Sequence, residues 1–266
     1  MTNVTATQLQ TAAAGAALKE AGLSPDKVDS VIIGHVMQST QTDGIYLPRH
    51  VLLGLGIPQE KPALGVNRLC GSGFQSVVNG AQDIILGAAK VAVTGGVENM
   101  SQAPFAVRNV RFGTALGTNY NLEDSLWAGL TDTYVKMPMA LTAEKLGEKY
   151  GITRAQVDDF SLLSQTNWQK GQNDGAYKAE IAPYKLKVKG KEVEFQVDEH
   201  PRPKTTIEGL NKLQSLFKKD GLVAGWSLND LDLIEINEAF AAQTLACAKA
   251  LNLDPSKLNS NDCRAS

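Results

Sequence analysis

The chain has 266 residues, 43% of them hydrophobic and 20% charged, which is the make-up of an ordinary globular protein large enough for a sizeable core and more than one subdomain. Its 26 basic residues nearly balance 28 acidic ones, for a net charge of −2, so it lacks the electrostatic footprint of a binder of nucleic acid or anionic membrane. Apolar runs such as Val31-Ile32-Ile33 and Val91-Ala92-Val93 are far too short to span a bilayer. Three cysteines, at 70, 247 and 263, are too few and too scattered for a disulfide framework or a zinc cluster, and no metal site is expected. They suit a reducing compartment. The first residues show neither an Arg-rich presequence nor an apolar signal core, so no address is read from them.

Thr5 or Thr7 can cap a first helix whose apolar stripe is read as Leu9, Ala12, Ala13, Ala16 and Ala17, with Gly22 as its stop. The β-branched run Val31-Ile32-Ile33-Gly34-His35-Val36-Met37 predicts a buried strand, and residues 47–55 a second helix ending at Gly56. A strand leading to Cys70, a helix over 74–86 and a strand over 91–96 complete an alternating pattern. That alternation predicts an α/β layer with a largely parallel sheet, whose strand carboxyl ends carry the site.

Beyond Asn99 the pattern changes. Residues 101–133 are loop-rich, a helix starts near Thr142, and Thr153-Arg154-Ala155-Gln156 has capping-box character ahead of a helix through Trp168. Residues 180–197 read as a hairpin about Gly190, and 198–203 as a Pro-bounded loop. This block is expected to be a lid. A strand over 231–236, the turn Asn237-Glu238-Ala239-Phe240 and a helix over 241–251 follow. Three parts are expected: an N-terminal α/β half with the nucleophile (1–110), a loop and lid domain (111–217), and the remnant of a C-terminal α/β half (218–266).

The chemistry centres on Asn67-Arg68-Leu69-Cys70-Gly71-Ser72-Gly73. A thiol between a strand and a helix start lies at the positive end of the helix dipole, a setting that favours thiolate. The two glycines let a carbonyl approach backbone N–H groups. A nucleophilic cysteine for acyl transfer and a buried structural cysteine beside a glycine turn are both open on this stretch alone.

Three separated motifs resolve the choice. Asn67-Arg68-Leu69-Cys70-Gly71-Ser72-Gly73, Gly95-Gly96-Val97-Glu98-Asn99-Met100-Ser101 and Asn237-Glu238-Ala239-Phe240-Ala241 resemble, in order, three motifs of the thiolases. Val107-Arg108-Asn109-Val110-Arg111-Phe112-Gly113 and Asp198-Glu199-His200-Pro201-Arg202-Pro203 resemble the branch that acts on 3-ketoacyl-CoA in mitochondria. The similarity runs from about Thr5 to Asn261. It implies a layered αβαβα fold and thiolysis of a 3-ketoacyl-CoA to acetyl-CoA and a shortened acyl-CoA, or the reverse condensation. It also implies a place in fatty-acid β-oxidation, coenzyme A as co-substrate with no permanently bound cofactor, dimers or tetramers, and the mitochondrial matrix.

By the same resemblance Cys70 is the acylated nucleophile, and its N–H belongs to one oxyanion hole. Asn237 holds a water at another, Arg202 and Thr205 contact coenzyme A, and Met139 lines the acyl and pantetheine pocket. Read as residues only, Arg202 is equally a solvated loop charge and Met139 equally core packing. A condensing enzyme of fatty-acid or polyketide synthesis is a weaker relative, for want of the Asn-Glu-Ala-Phe match.

The departures are equally informative. Thiolases carry a catalytic histidine in Gly-His-Pro and a second cysteine in Cys-x-Gly-Gly, and neither motif occurs here. His35, read as mid-strand, His50 on a helix and His200 in a loop are expected to be structural, and Cys247 a small buried side chain. The family's Gly-Asn-Ala-Ser-Gly segment is missing after Gly221, and its Gly-Gly-Ala run is missing after Asn261. The family's first strand, taken as central to the N-terminal sheet, is missing before Thr5, which is expected to leave unpaired strand edges. The chain reads as a truncated thiolase. Impaired turnover is therefore expected, with a non-catalytic acyl-CoA-binding or assembly partner of intact thiolase subunits as the alternative.

Overall fold

The computed structural model describes residues 3–215, 218, 221–222 and 239–253. In chain order these form α1 (Ala6–Glu20), β1 (Ser30–Gly34), α2 (Leu47–Gly54), β2 (Ala63–Val66), α3 (Ser72–Ile85) and β3 (Ala92–Gly96). Short pieces follow: β4 (Phe105–Ala106), β5 (Glu123–Asp124), α4 (Ser125–Gly129), β6 (Thr131–Asp132) and β7 (Met137–Pro138). Then come α5 (Met139–Tyr150), α6 (Arg154–Asp174), the hairpin β8 (Tyr184–Val188) and β9 (Lys191–Phe195), α7 (Ile207–Asn211) and α8 (Ala241–Ala250). The chain divides into two compact units, residues 1–129 with 182–195, and residues 130–181 with 196–266.

The first unit is the α/β layer the alternation predicts. Its sheet has the order β2-β1-β3, all parallel, with Val31 opposite Ala63 on one side of β1 and Val93 on the other. Val31 and Ile33 join Ala14 and Leu18 of α1 and Leu47, Val51 and Leu52 of α2 in one core. Side chains alternate along a strand, so Ile32 and Gly34 face α3 instead. All five β1 residues are buried, as a central parallel strand covered on both faces requires.

β1 is itself the central strand, and its register is continuous on both sides. The expectation of a lost central strand is thereby corrected. A further strand can join these three only along the outer edge of β2 or β3.

Thr5 caps α1 through a full capping box with Gln8. The buried stripe of α1, however, is Ala6, Gln10, Ala14 and Leu18. The Leu9-Ala12-Ala13-Ala16-Ala17 stripe is displaced because an alanine-rich helix gives the apolar period little contrast. β1 ends at Gly34, so His35 lies at the strand's carboxyl end and not within it.

In the second unit α5 and α6 are joined at Gly151, in the left-handed conformation, and Thr153 caps α6 with the predicted capping box. Ile152, Ala242 and Ala246 form a small core with Leu146, Val157 and Leu245 packed against it. No described helix is long and apolar enough to cross a membrane.

Candidate active site

β2 ends at Val66, and the six residues from Asn67 to Ser72 turn the chain into α3. The turn is stitched from inside. Asn67 Oδ1 accepts from Leu69 N–H (3.0 Å), Arg68 N–H donates to Ser72 Oγ (2.9 Å), and that hydroxyl donates to the Leu69 carbonyl (2.5 Å). Gly71 N–H reaches the Arg68 carbonyl at 3.1 Å, and Ser72 N–H the Leu69 carbonyl at 3.0 Å. Leu69 is held at φ +50°, in the left-handed region that costs an L-residue about 1–2 kcal/mol. Cys70 follows it, a free thiol exposed to solvent, two residues before the first residue of α3. The helix is fourteen residues long and has no side-chain cap, its first N–H, that of Ser72, being taken by the Leu69 carbonyl.

Three glycines seat that helix start. A Cβ on Gly34 would collide with the backbone of Ser72 and come to 2.6 Å from Gly73 N; one on Gly96 would come to 2.9 Å from Gly73 Cα. Strand ends and helix therefore meet backbone to backbone, which only glycine allows. One turn on, the buried Ser76 hydroxyl donates to the Gly73 carbonyl (2.6 Å) and accepts from Gly95 N–H (3.0 Å), tying α3 to β3.

The third strand end brings Glu98 back across β1. Its carboxylate oxygens accept from Val36 N–H (3.0 Å) and Met37 N–H (3.1 Å). His35, 2% exposed, has Nε2 at 3.2 Å from Glu98 Oε1, but the ring N–H does not point at that oxygen and neither ring nitrogen has a hydrogen-bond partner. Burial pushes the His35 pKa down, against a smaller upward pull from Glu98. Sequence reading took His35 for packing and missed this pairing. The available signal was a histidine directly after a strand-ending glycine, with a glutamate two residues after another.

Met139, Arg202 and Thr205 belong to the second unit. Met139 opens α5, 40% exposed, its N–H on the Leu130 carbonyl. Arg202 and Thr205 share one turn: Thr205 N–H and Oγ1 both donate to the Arg202 carbonyl, and Arg202 N–H donates to Gln165 Oε1 (2.6 Å). The Arg202 side chain is exposed. Asn237 lies outside the described residues, as does Cys263. Cys247 is buried in α8, His50 sits beside Asp43 on α2, and His200 is exposed. Among the described residues no cluster of histidine, cysteine, aspartate and glutamate could hold a metal ion.

A helix start seated on glycines at the carboxyl ends of a parallel sheet, with an exposed thiol at its mouth, is an arrangement that can support nucleophilic acyl transfer. The family signature "Thiolase, N-terminal domain" matches residues 1–228, and the chain belongs to the thiolase family. It is 44% identical to the bovine mitochondrial 3-ketoacyl-CoA thiolase over 97% of this chain and 80% of the relative. The crystal structure of human mitochondrial 3-ketoacyl-CoA thiolase superposes with a TM-score of 0.92 at 44% identity, covering 98% of this chain and 81% of that one. A second human structure, in complex with CoA, gives 0.90 at the same identity, covering 98% and 80%. The layered α/β fold is thus that of the thiolases. The bovine alignment extends over 318 positions against the 266 residues present here, so at least 52 positions of the relative face gaps in this chain.

Proposed function

We propose that this chain is a thiolase-type acyltransferase acting through an acyl-cysteine at Cys70, on 3-ketoacyl-CoA esters with coenzyme A as co-substrate. The observation that carries the reading is the exposed Cys70 thiol at the uncapped start of α3, within the family's nucleophile motif. The thiolate adds to the 3-keto carbon, and the bond between carbons 2 and 3 breaks. The electron pair leaves as the enolate of acetyl-CoA, which takes up a proton. The thiol of coenzyme A then displaces the shortened acyl group from Cys70. The backbone N–H of Cys70 would contribute to the second oxyanion hole. Asn237 would hold a water that helps stabilise an oxyanion or enolate, Arg202 and Thr205 would contact coenzyme A, and Met139 would line the acyl and pantetheine pocket. Arg202 suits that task because a guanidinium on a loop can pair with phosphate.

Turnover is proposed to be impaired. No Gly-His-Pro and no Cys-x-Gly-Gly occurs among these 266 residues, which by themselves would lack the groups that take the thiol proton and return one to the leaving enolate. Catalytic groups act as a unit, and such losses cost several orders of magnitude. Transfer of an acyl group from a CoA thioester to Cys70, which expels coenzyme A and forms no enolate, remains as a single event. The likeness to mitochondrial relatives supports a role in the mitochondrial matrix, in β-oxidation.

Incubation with acetyl-CoA, followed by peptide mass mapping, tests this. One acetyl group on Cys70, lost in Cys70→Ala and without sustained release of free coenzyme A, is the expected result. No acylation of any cysteine overturns it. A second reading, supported by the same missing motifs, is a non-catalytic partner of intact subunits. Co-purification of the Cys70→Ala chain with a full-length thiolase would favour it.

A further inference from the structure

We propose that His35 and Glu98 are positioning residues for Cys70: together they lock the three strand ends on which the nucleophile's turn and helix rest. The proposal deepens the acyl-cysteine reading, but its test does not depend on thiolase activity.

His35 is the crosspiece of the sheet's carboxyl edge. Its own N–H donates to the Val66 carbonyl (3.1 Å), the last residue of β2 and four residues before Cys70. Its imidazole meets the Glu98 carboxylate, two residues past the end of β3. Glu98 in turn holds the two N–H groups that follow His35, so one histidine and one glutamate join all three strand ends. The residues immediately before them in the strands, Gly34 and Gly96, are those against which Ser72 and Gly73 are packed, and Val97 N–H donates to the Gly34 carbonyl at 3.0 Å. Any relative slip of β1, β2 and β3 therefore moves the helix start and the thiol with it.

The arrangement is expensive for a merely structural element. A buried imidazole whose ring nitrogens find no directed hydrogen bond costs stability that an apolar side chain of similar size would not. Such a group, at the carboxyl ends of a parallel sheet and one strand away from a nucleophile, is accounted for by the geometry it imposes. At the amino end of the same sheet, where no chemistry is proposed, the carboxylates of Asp29 and Asp83 both have hydrogen-bond donors.

The test is the second-order rate of Cys70 alkylation by iodoacetamide at pH 7, read by peptide mass mapping, with the thermal midpoint measured in parallel. His35→Leu removes the ring contact with Glu98 and should lower the rate roughly tenfold, because a shifted helix start no longer offers the sulfur its electropositive setting. His35→Gln, whose amide reaches as far as Nε2, should restore the wild-type rate. A His35→Leu protein that melts earlier yet alkylates at the wild-type rate overturns the proposal and leaves a structural role. So does a slow rate that His35→Gln fails to restore. Should His35→Leu not fold, Glu98→Gln decides by the same criterion, since it keeps the volume but withdraws one acceptor from Val36 and Met37. Failure of wild-type Cys70 to take an acetyl group from acetyl-CoA would count against the acyltransferase reading alone, because alkylation reports the thiol's setting without it.

Discussion

The two ends of the three-stranded sheet are built on opposite rules. At the amino end Asp29 accepts from Lys61 Nζ (2.9 Å), Lys90 N–H (2.9 Å) and Val91 N–H (3.2 Å), and neighbouring Ser30 donates to Asp83 (3.1 Å). Those donors hold the Asp29 carboxyl down at about 2. Asp29 is answered there by an ammonium and two backbone N–H groups, and side chains do the joining. At the carboxyl end glycine backbones touch, a leucine sits at positive φ, and a buried imidazole goes without a directed hydrogen bond. Stability is gathered at one edge and geometry is enforced at the other. In a parallel sheet the second edge is where ligands are handled.

The sharpest way to break the contrast is to put one methyl group at the glycine contact. Gly34→Ala drives a Cβ into the Ser72 backbone and should cost about 3 kcal/mol or more, seen as a lower urea midpoint. An unchanged midpoint would mean that helix and strands are free to separate. Next in size is Ser76→Ala, which leaves Gly95 N–H without its acceptor at a fully buried position; a loss of about 1–3 kcal/mol is expected by the same measurement.

A pH series separates the two ends more gently. His35 has a folded pKa below its ordinary 6.5, so the unfolded chain binds the extra proton and stability falls as pH drops below 6.5. Asp29 is the reverse type of group: depressed from 3.8 to about 2, it contributes fully above 3.8 and loses that contribution as pH falls towards 2. Thermal midpoints should therefore decline in two stages on acidification. His35→Gln should remove the upper stage and Asp29→Asn the lower. Loss of both stages in either variant would show that the two edges are not independent.

Much of this was legible in the residues. The parallel layer follows from alternating helices and β-branched runs. Thr5 and Thr153 announce their caps by the glutamine three places on, and Gly190 announces the β8–β9 turn. Cys70 stands out because two glycines and a helix pattern follow it. What escaped depends on contacts between segments far apart in sequence. Nothing near His35 says that residue 98 will lie against it, and the alanines of α1 present no face contrasted enough to tell Ala14 from Ala13. The central place of β1 escaped for the same reason, since strand order is a property of the assembled sheet.

Leu69 carries one further consequence. A glycine there would relax the backbone and make the domain harder to melt, yet it would also let the neighbouring sulfur wander over a wider cone. Retaining a branched side chain at a twist that disfavours it trades durability for aim. Directed evolution for heat tolerance would settle on glycine at this site early, and an assay of acyl uptake would select it back out.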